Sequence, residues 1–434
     1  MSVQARDLTA SARLVQRARG LVPAWTQTLS KNPTQWVQGV APAYVARAQG
    51  AHVWDVDGNR YIDFPMALGP VLVGHADPRV NAAITAQLAD GITYTLPHPI
   101  ELDVAEQVIA RVPGAERVRF GKTGSDANSA AIRLARAVTG RDHVLACGYH
   151  GWHDWFVATT TRDLGVPAAV RELTGTFTYD DLDSLAAALA AQDGDTAAVI
   201  LEPSGATLPS EGFLARVVEL AHAAGALVVF DEIITGFRLG PGGAQERYGV
   251  QADLATFGKA LGNGMPISAV TGRAELMDVF EEVFFSGTHG GEVLSLAAAG
   301  ATLDLLDDAA YVSLYAKGER LRAAIATSIT SHGLASHVVI DGEAPRTVVL
   351  LAEPAGADGL IARSLVQQEL AKRGVLFNGN NFVCLAHSDE DLDQAAEAYD
   401  AALARLADGL SDGAAGVAAL LEGPPVSPAF RPVR

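Results

Sequence analysis

ALVVFDEIITGFR (226–238), followed by DLATFGKALGNGMPISAVTG (253–272), decides how this chain is read. In each stretch a short apolar run ends on polar residues: ALVVF on Asp231-Glu232, LATF on Gly258-Lys259. Short runs without alternation suit parallel strands buried on both faces, and such sheets bind ligands beyond the carboxyl ends of their strands. Phe257, Leu261, Gly262, Gly264, Met265 and Pro266 surround Lys259 with apolar and turn-forming residues. Desolvation there makes an amine nucleophilic. An aspartate at a buried strand end suits the protonated nitrogen of a pyridine ring. Together the two residues describe a site for pyridoxal 5'-phosphate (PLP), with Lys259 carrying the cofactor as a Schiff base and Asp231 tuning its electronics. Read singly, each is unspecific. Lysines are mostly solvated, Asp231 has Arg238 as an ordinary partner, and Asp-Glu after a strand also suits Mg²⁺.

The same strand, loop, helix alternation extends from about 115 to 272. Strands are expected at 117–120, 144–147, 197–202, 226–230, 254–257 and 267–271, with helices at 126–138 and 213–224 among them. In RFGKTGSDANSAAIRLARAVTG (119–140), Ala127, Ala131, Leu134 and Val138 share one helical face. Thr123 with Asp126 marks the helix start. Free N–H groups there, with the Thr123 and Ser125 hydroxyls, can cradle a phosphate, although an ordinary strand-to-helix turn reads the same way. The GKT within it is not a nucleotide loop, because the first glycine of that motif would fall at 116, where Glu stands.

Tyr149-His150-Gly151-Trp152-His153-Asp154 follows the strand at 144–147. Tyr149 can stack on a flat ring. His150 and His153 read as hydrogen-bonding loop residues, since the pair lacks the further ligands a metal needs. Glu202 after AAVIL and Ser286-Gly287-Thr288 before a helix starting at 292 are the other polar groups at element ends.

Outside this region, HVWDVDGNRYIDF (52–64) reads as two strands joined at Asp57-Gly58, and a helix is expected at 78–90 with Pro78 near its start. Strands TVVLLAE (347–353) and NFVCLAH (381–387) alternate with helices beyond 307, and the tail from 412 reads as loosely ordered or laid on the surface. The organisation expected is an N-terminal segment, 1–64, joining a small lobe; a large PLP-binding domain, 65–306; and a C-terminal small domain, 307–434.

The chain has 434 residues, 49% of them hydrophobic, which is ample for more than one core. No apolar run approaches the ~20 residues of a spanning helix. The N-terminal MSVQARDLTASARLVQRARG reads as a surface helix rather than a leader. Two isolated cysteines, Cys147 and Cys384, fit a reduced cytoplasmic setting. A net charge of −18 argues against nucleic acid or an anionic membrane as partner.

These residues resemble the class III aminotransferases among the fold-type I PLP enzymes, in particular the glutamate-1-semialdehyde aminomutase-like branch. The resemblance spans roughly 35–400. It is carried by WDVDGNRYIDF, GPVLVGHADPRV, KTGSDANSAAIRLARA, GYHGWHD, LEPSG, VVFDEIITGFR, TFGKALGNGMP and SGTHGGE. It implies an α/β fold: a large domain with a mostly parallel seven-stranded sheet covered by helices, plus a smaller α/β lobe from both chain ends. It implies that Lys259 bears the cofactor and shuttles protons, Asp231 pairs with the ring nitrogen, and Tyr149 and Ile233 cover opposite ring faces. Thr123, Gly124 and Ser125 would hold the phosphate, Thr288 would complete that site in the neighbouring subunit of a homodimer, and Glu202 would sit on the substrate side.

Three departures stand out. Ala67-Leu68-Gly69-Pro70 replaces Ser-Trp-Gly-Pro, and His289-Gly290-Gly291-Glu292 replaces Ser-Gly-Asn-Pro. By an ungapped alignment on PAY (42–44), Tyr44 stands where the branch has a carboxylate-binding arginine. They favour an intermolecular aminotransferase, with a donor such as glutamate and an aldehyde or ketone acceptor of amino-sugar or natural-product type. An intramolecular aminomutase and another PLP reaction such as epimerisation are the alternatives.

Overall fold

The computed structural model describes residues 6–427. The chain divides into two compact units. Among the described residues, one comprises 6–68, Leu72–Asp77 and 312–427; the other comprises Gly69–Val71 and Pro78–Tyr311.

The large unit is built on seven strands: β1 (Arg117–Gly121), β2 (His143–Cys147), β3 (Thr174–Thr176), β4 (Thr196–Leu201), β5 (Leu227–Glu232), β6 (Leu254–Phe257) and β7 (Ser268–Gly272). Their order is β1-β7-β6-β5-β4-β2-β3. The run from β6 to β3 is parallel, and β7 is antiparallel to both of its neighbours. All six residues of β4 are buried, as a strand covered on both faces requires. Helix α1 (Gly124–Thr139) begins at a reciprocal Thr123/Asp126 capping box and ends at Gly140 with φ +66°. Its Ala127, Ala131, Ile132 and Leu134 pack on one sheet face with Val144, Ile200 and Val229. Helix α2 (Phe213–Ala223) covers the other face, against Leu145, Val199, Val228 and Phe230.

The six expected strands are present within a residue or so. The seventh, Thr174-Gly175-Thr176, carries no apolar signal because it is a short edge strand. Val138 does not share the burial expected of it: it is exposed, and Ala130 and Ala135 are buried instead. Eleven positions are about three turns of 3.6 residues, so Val138 keeps the bearing of Ala127; it is exposed because it sits in the last turn, one residue before the helix ends at Thr139.

The small unit joins both chain ends in one sheet. Val45–Gln49, His52–Asp55 and Arg60–Asp63 form a meander, and Val375–Leu376 adds parallel to its last strand. A second sheet, Val338–Asp341, Arg346–Leu351 and Asn380–Phe382, shares a core with the helices Ile361–Lys372 and Asp389–Leu410. The strand expected over 381–387 stops at Phe382. Beyond it the Val383 and Leu385 N–H groups bond to Pro345 and Leu72 carbonyls, outside any ladder. Through residue 427 the tail from 412 is also more ordered than expected, and its last seven residues, 428–434, lie outside the described residues. Gly413–Ala419 is helical, and Val426 is buried and bridged to Leu360.

His387 gives this unit an acid-sensitive point. Its ring is fully buried, lies 4.6 Å from Phe64 at 13°, and accepts the Cys384 N–H at Nδ1 (3.0 Å). Burial lowers its pKa from 6.5 to about 4. The unfolded chain therefore takes up the proton first. The contribution is complete above pH 6.5 and disappears as pH falls toward 4, and about 2 kcal/mol of it should be gone by pH 5. Urea midpoints at pH 7 and 5 should show this loss in the wild type. A His387→Leu variant should be weaker at pH 7 but lose less between the two; equal losses would contradict the assignment.

Candidate active site

Strand alternation separates the two acids that end β5. Asp231 follows Val229 onto the α1 face, and Glu232 follows Val228 and Phe230 onto the other. Glu232 is fully buried, and its oxygens accept the Ala244 and Gln245 N–H groups and the Thr235 hydroxyl. Burial pushes its carboxyl up to about 7, against those bonds. The two carboxylates face opposite sides of the sheet and cannot close on one ion.

Asp231 is buried in a polar clamp. Its Oδ2 accepts Asn128 Nδ2–H at 2.7 Å and lies 2.8 Å from His150 Nδ1; its Oδ1 accepts the Ile233 N–H at 3.0 Å. Asn128 is fixed in turn, accepting the Thr256 hydroxyl at Oδ1 (2.6 Å) and donating to the His150 carbonyl (3.2 Å). His150 Nε2 faces the Cys147 carbonyl at 3.1 Å. Arg238 is not part of this clamp; it donates to the Gly69 and Val71 carbonyls. A carboxylate has room for about four hydrogen bonds. Three are made here, and the remaining capacity fits a protonated ring nitrogen.

The same edge holds Lys259. Asp231 pairs in register with Thr256 of β6, and Lys259 opens a single 3₁₀ turn, Lys259–Gly262, just past that strand. Its φ of +38° lies in the left-handed region that non-glycine residues avoid. Ile233 links this turn to the start of α1. A Cβ added to Gly124 or to Gly258 would come within 3.1 Å of Ile233 Cδ1. The apolar branched side chain thus lies between the glycine of the helix start and the glycine before the lysine.

At that helix start the Asp126 carboxylate takes the Lys122 and Thr123 N–H groups, and Thr123 Oγ1 accepts the Asp126 N–H. The Thr123 hydroxyl hydrogen remains available to donate. Among the described residues no hydrogen bond occupies the Gly124 or Ser125 N–H, the first two donors of α1. Two N–H groups and a hydroxyl at the positive end of a 16-residue helix fit a phosphate. Ser125 Oγ accepts the Trp152 N–H (3.2 Å) and lies so close to Gly151, φ +107°, that a Cβ there would clash at 2.2 Å.

Tyr149 is half exposed, and its ring meets Phe156 edge-on at 5.5 Å. Burial of the phenol and the nearby Asp231 charge both raise its pKa. The Tyr149 N–H donates to Glu202 Oε1 at 2.8 Å, so Glu202 holds the loop that presents the ring. Thr288 stands apart. It lines a cavity of about 810 Å³ with Lys122, Asp126, Ser129 and His153, and among the described residues it makes no hydrogen bond to Thr123, Gly124 or Ser125. Glu292, which ends SGTHGGE, caps the helix Val293–Asp304 and pairs with Lys122 (2.9 Å). Burial alone would raise its carboxyl, but bonds from Ser295, Lys122 and Leu294 hold it below the usual range.

Asn128 and Thr256 are the residues that sequence reasoning passed over. Their signal is a polar side chain on an otherwise apolar helix face and on a fully buried strand, each of which demands a buried partner. His150 read as a loop residue; the structure makes it part of the Asp231 clamp.

A family model described as Aminotransferase class-III matches residues 35–339. The glutamate-1-semialdehyde 2,1-aminomutase of Methanothrix thermoacetophila is 38% identical over 343 residues, which cover 75% of this chain and 78% of that protein. The structure of the PLP internal aldimine form of the Sphingopyxis sp. MTA144 FumI protein superposes with a TM-score of 0.85 at 30% identity, covering 96% of this chain and 99% of that one. An omega-transaminase from Sphaerobacter thermophilus gives a TM-score of 0.83 at 28% identity, with 91% and 97% covered.

Proposed function

Because this chain belongs to the class III aminotransferases and is a PLP-dependent enzyme, we propose that it moves an amino group between two molecules, from a donor amine such as glutamate to an aldehyde or ketone. The observation that carries the chemistry is the clamped Asp231 with capacity left for one more donor. Bound PLP supplies the carbonyl that takes up the amino group and the ring that accepts electrons. Asp231 keeps the ring nitrogen protonated by favouring its charged form. The Thr123 hydroxyl and the Gly124 and Ser125 N–H groups would hold the phosphate, Ile233 and Tyr149 would flank the ring, and Glu202 steadies Tyr149. The Lys259 amine would carry the cofactor and serve as the base that takes the proton from the amine-bearing carbon and returns one on the other side of the transfer.

Transfer between molecules is favoured over an internal shift by the departures at 67–70, at 289–292 and at Tyr44. The reading includes a cytoplasmic homodimer in which Thr288 completes the phosphate site across the interface. Glutamate-1-semialdehyde mutation is the second reading, supported by the names of the sequence relatives. Stoichiometry separates them. With donor alone, a transferase loses its visible-edge absorbance and releases one equivalent of keto acid per site, and a carbonyl acceptor restores the spectrum. Product formation from a semialdehyde substrate without any keto acid release would establish the mutase instead.

A further inference from the structure

The small unit contains a cavity of about 360 Å³, within the size range of small-molecule sites. Trp25, Trp36, Tyr44, Leu68 and Leu376 line it, and Lys31 supplies a positive charge. Trp36 packs with Val53, Tyr61 and Leu376 in one apolar cluster. Trp25 is held at its carbonyl by the Tyr44 hydroxyl (3.3 Å), and the Arg19 guanidinium lies 4.7 Å from the centre of its ring. The backbone around the cavity is strained. Ala24 and Trp25, and then Met66, Ala67 and Leu68 in succession, all have positive φ without being glycine. Such strain persists where surrounding structure imposes it, and it gathers at ligand sites.

The acid on the wall is already engaged. Asp63 accepts the Met66 N–H at Oδ1 and contacts His75 Nε2 at Oδ2 (2.8 Å). The Lys31 ammonium makes no hydrogen bond or ion pair among the described residues. Thr26, Ser30 and Asn378 add neutral polar groups to mostly apolar walls, and a cationic amino sugar would meet the Lys31 charge rather than a free acid. Flat apolar walls with one unneutralised cation suit a flat apolar ring that carries an anion.

We infer that this cavity binds an aryl-bearing carboxylate, with the ring against the indole walls and the carboxylate at Lys31. The inference goes beyond the amino-transfer reading, because binding stands on this cavity of the small unit alone.

Calorimetric titration of the holoenzyme with 3-phenylpropionate tests it, because this probe has neither an amine nor a ketone and cannot turn over. It should bind at a single site, with glutarate and glucosamine each at least about tenfold weaker. Lys31→Met should weaken 3-phenylpropionate roughly threefold to tenfold and leave the neutral 3-phenylpropanol unchanged. Trp36→Leu should weaken both aryl probes about tenfold. Lys31 is exposed, so its variant keeps the test decisive if the Trp36 change impairs folding. Equal binding of glutarate or glucosamine, or unchanged 3-phenylpropionate affinity in Lys31→Met, overturns the inference. The two readings fail separately: retained probe binding without donor-driven spectral change sinks amino transfer, and the reverse sinks the aryl cavity.

Discussion

Lys259→Ala is expected to abolish turnover, with kcat lower by about 10⁴-fold or more, and to remove the visible-edge absorbance of a lysine-linked cofactor. Two roles are lost together. In the proposed mechanism the side chain anchors the cofactor and supplies the positioned base, and no second lysine occurs between Lys122 and Lys317 to replace it. The fold should survive. Position 259 has φ +38° and opens a one-turn helix, and alanine tolerates that conformation no worse than lysine does. The measurements are the absorbance spectrum with PLP, keto acid release and the urea midpoint. Wild-type absorbance and turnover in the variant would remove the lysine from the mechanism.

Asp231→Asn should retain cofactor but lower kcat by roughly 10²–10⁴-fold. The amide keeps the shape of the carboxylate while losing its charge, and it has one acceptor oxygen where the clamp requires two. If that oxygen stays toward Asn128 and His150, the new NH₂ faces the Ile233 N–H, donor against donor, and a neutral amide no longer favours a protonated ring nitrogen. Asp231→Ala should also cost folding stability, about 3 kcal/mol, because it strands the buried Asn128 and His150 donors together. A spectrally normal Asp231→Asn enzyme with wild-type kcat would show that the ring nitrogen finds its partner elsewhere. An unchanged urea midpoint in Asp231→Ala would show that the clamp is not a structural unit.

The strands of the large sheet were readable because each is a compact apolar run with a polar end, a signal contained within a few residues. The capping box at Thr123 and Asp126 was readable for the same reason. Thr174–Thr176 was not, since a three-residue edge strand forms only because a neighbouring strand offers it a ladder. The end of the strand at Phe382 escaped as well. NFVCLAH is apolar throughout, and what stops it is the availability of the Pro345 and Leu72 carbonyls as partners. In the site, Lys259 and Asp231 stood out as charges set against apolar surroundings. Asn128 and Thr256 did not, because a polar residue on an apolar helix face or a buried strand demands a buried partner without saying which one.

By itself the sequence determined the strand and helix segments of the large unit and the capped helix start, and it singled out the amine and the carboxylate on which the proposed chemistry rests. Those properties depend on contacts one to four residues apart, so pattern suffices. Only the tertiary structure decided what holds the carboxylate: Asn128 is 103 residues from Asp231 and His150 is 81. The chemistry of that carboxylate depends on side chains which only the pairing of β5 with β6 and the packing of α1 bring within hydrogen-bond reach.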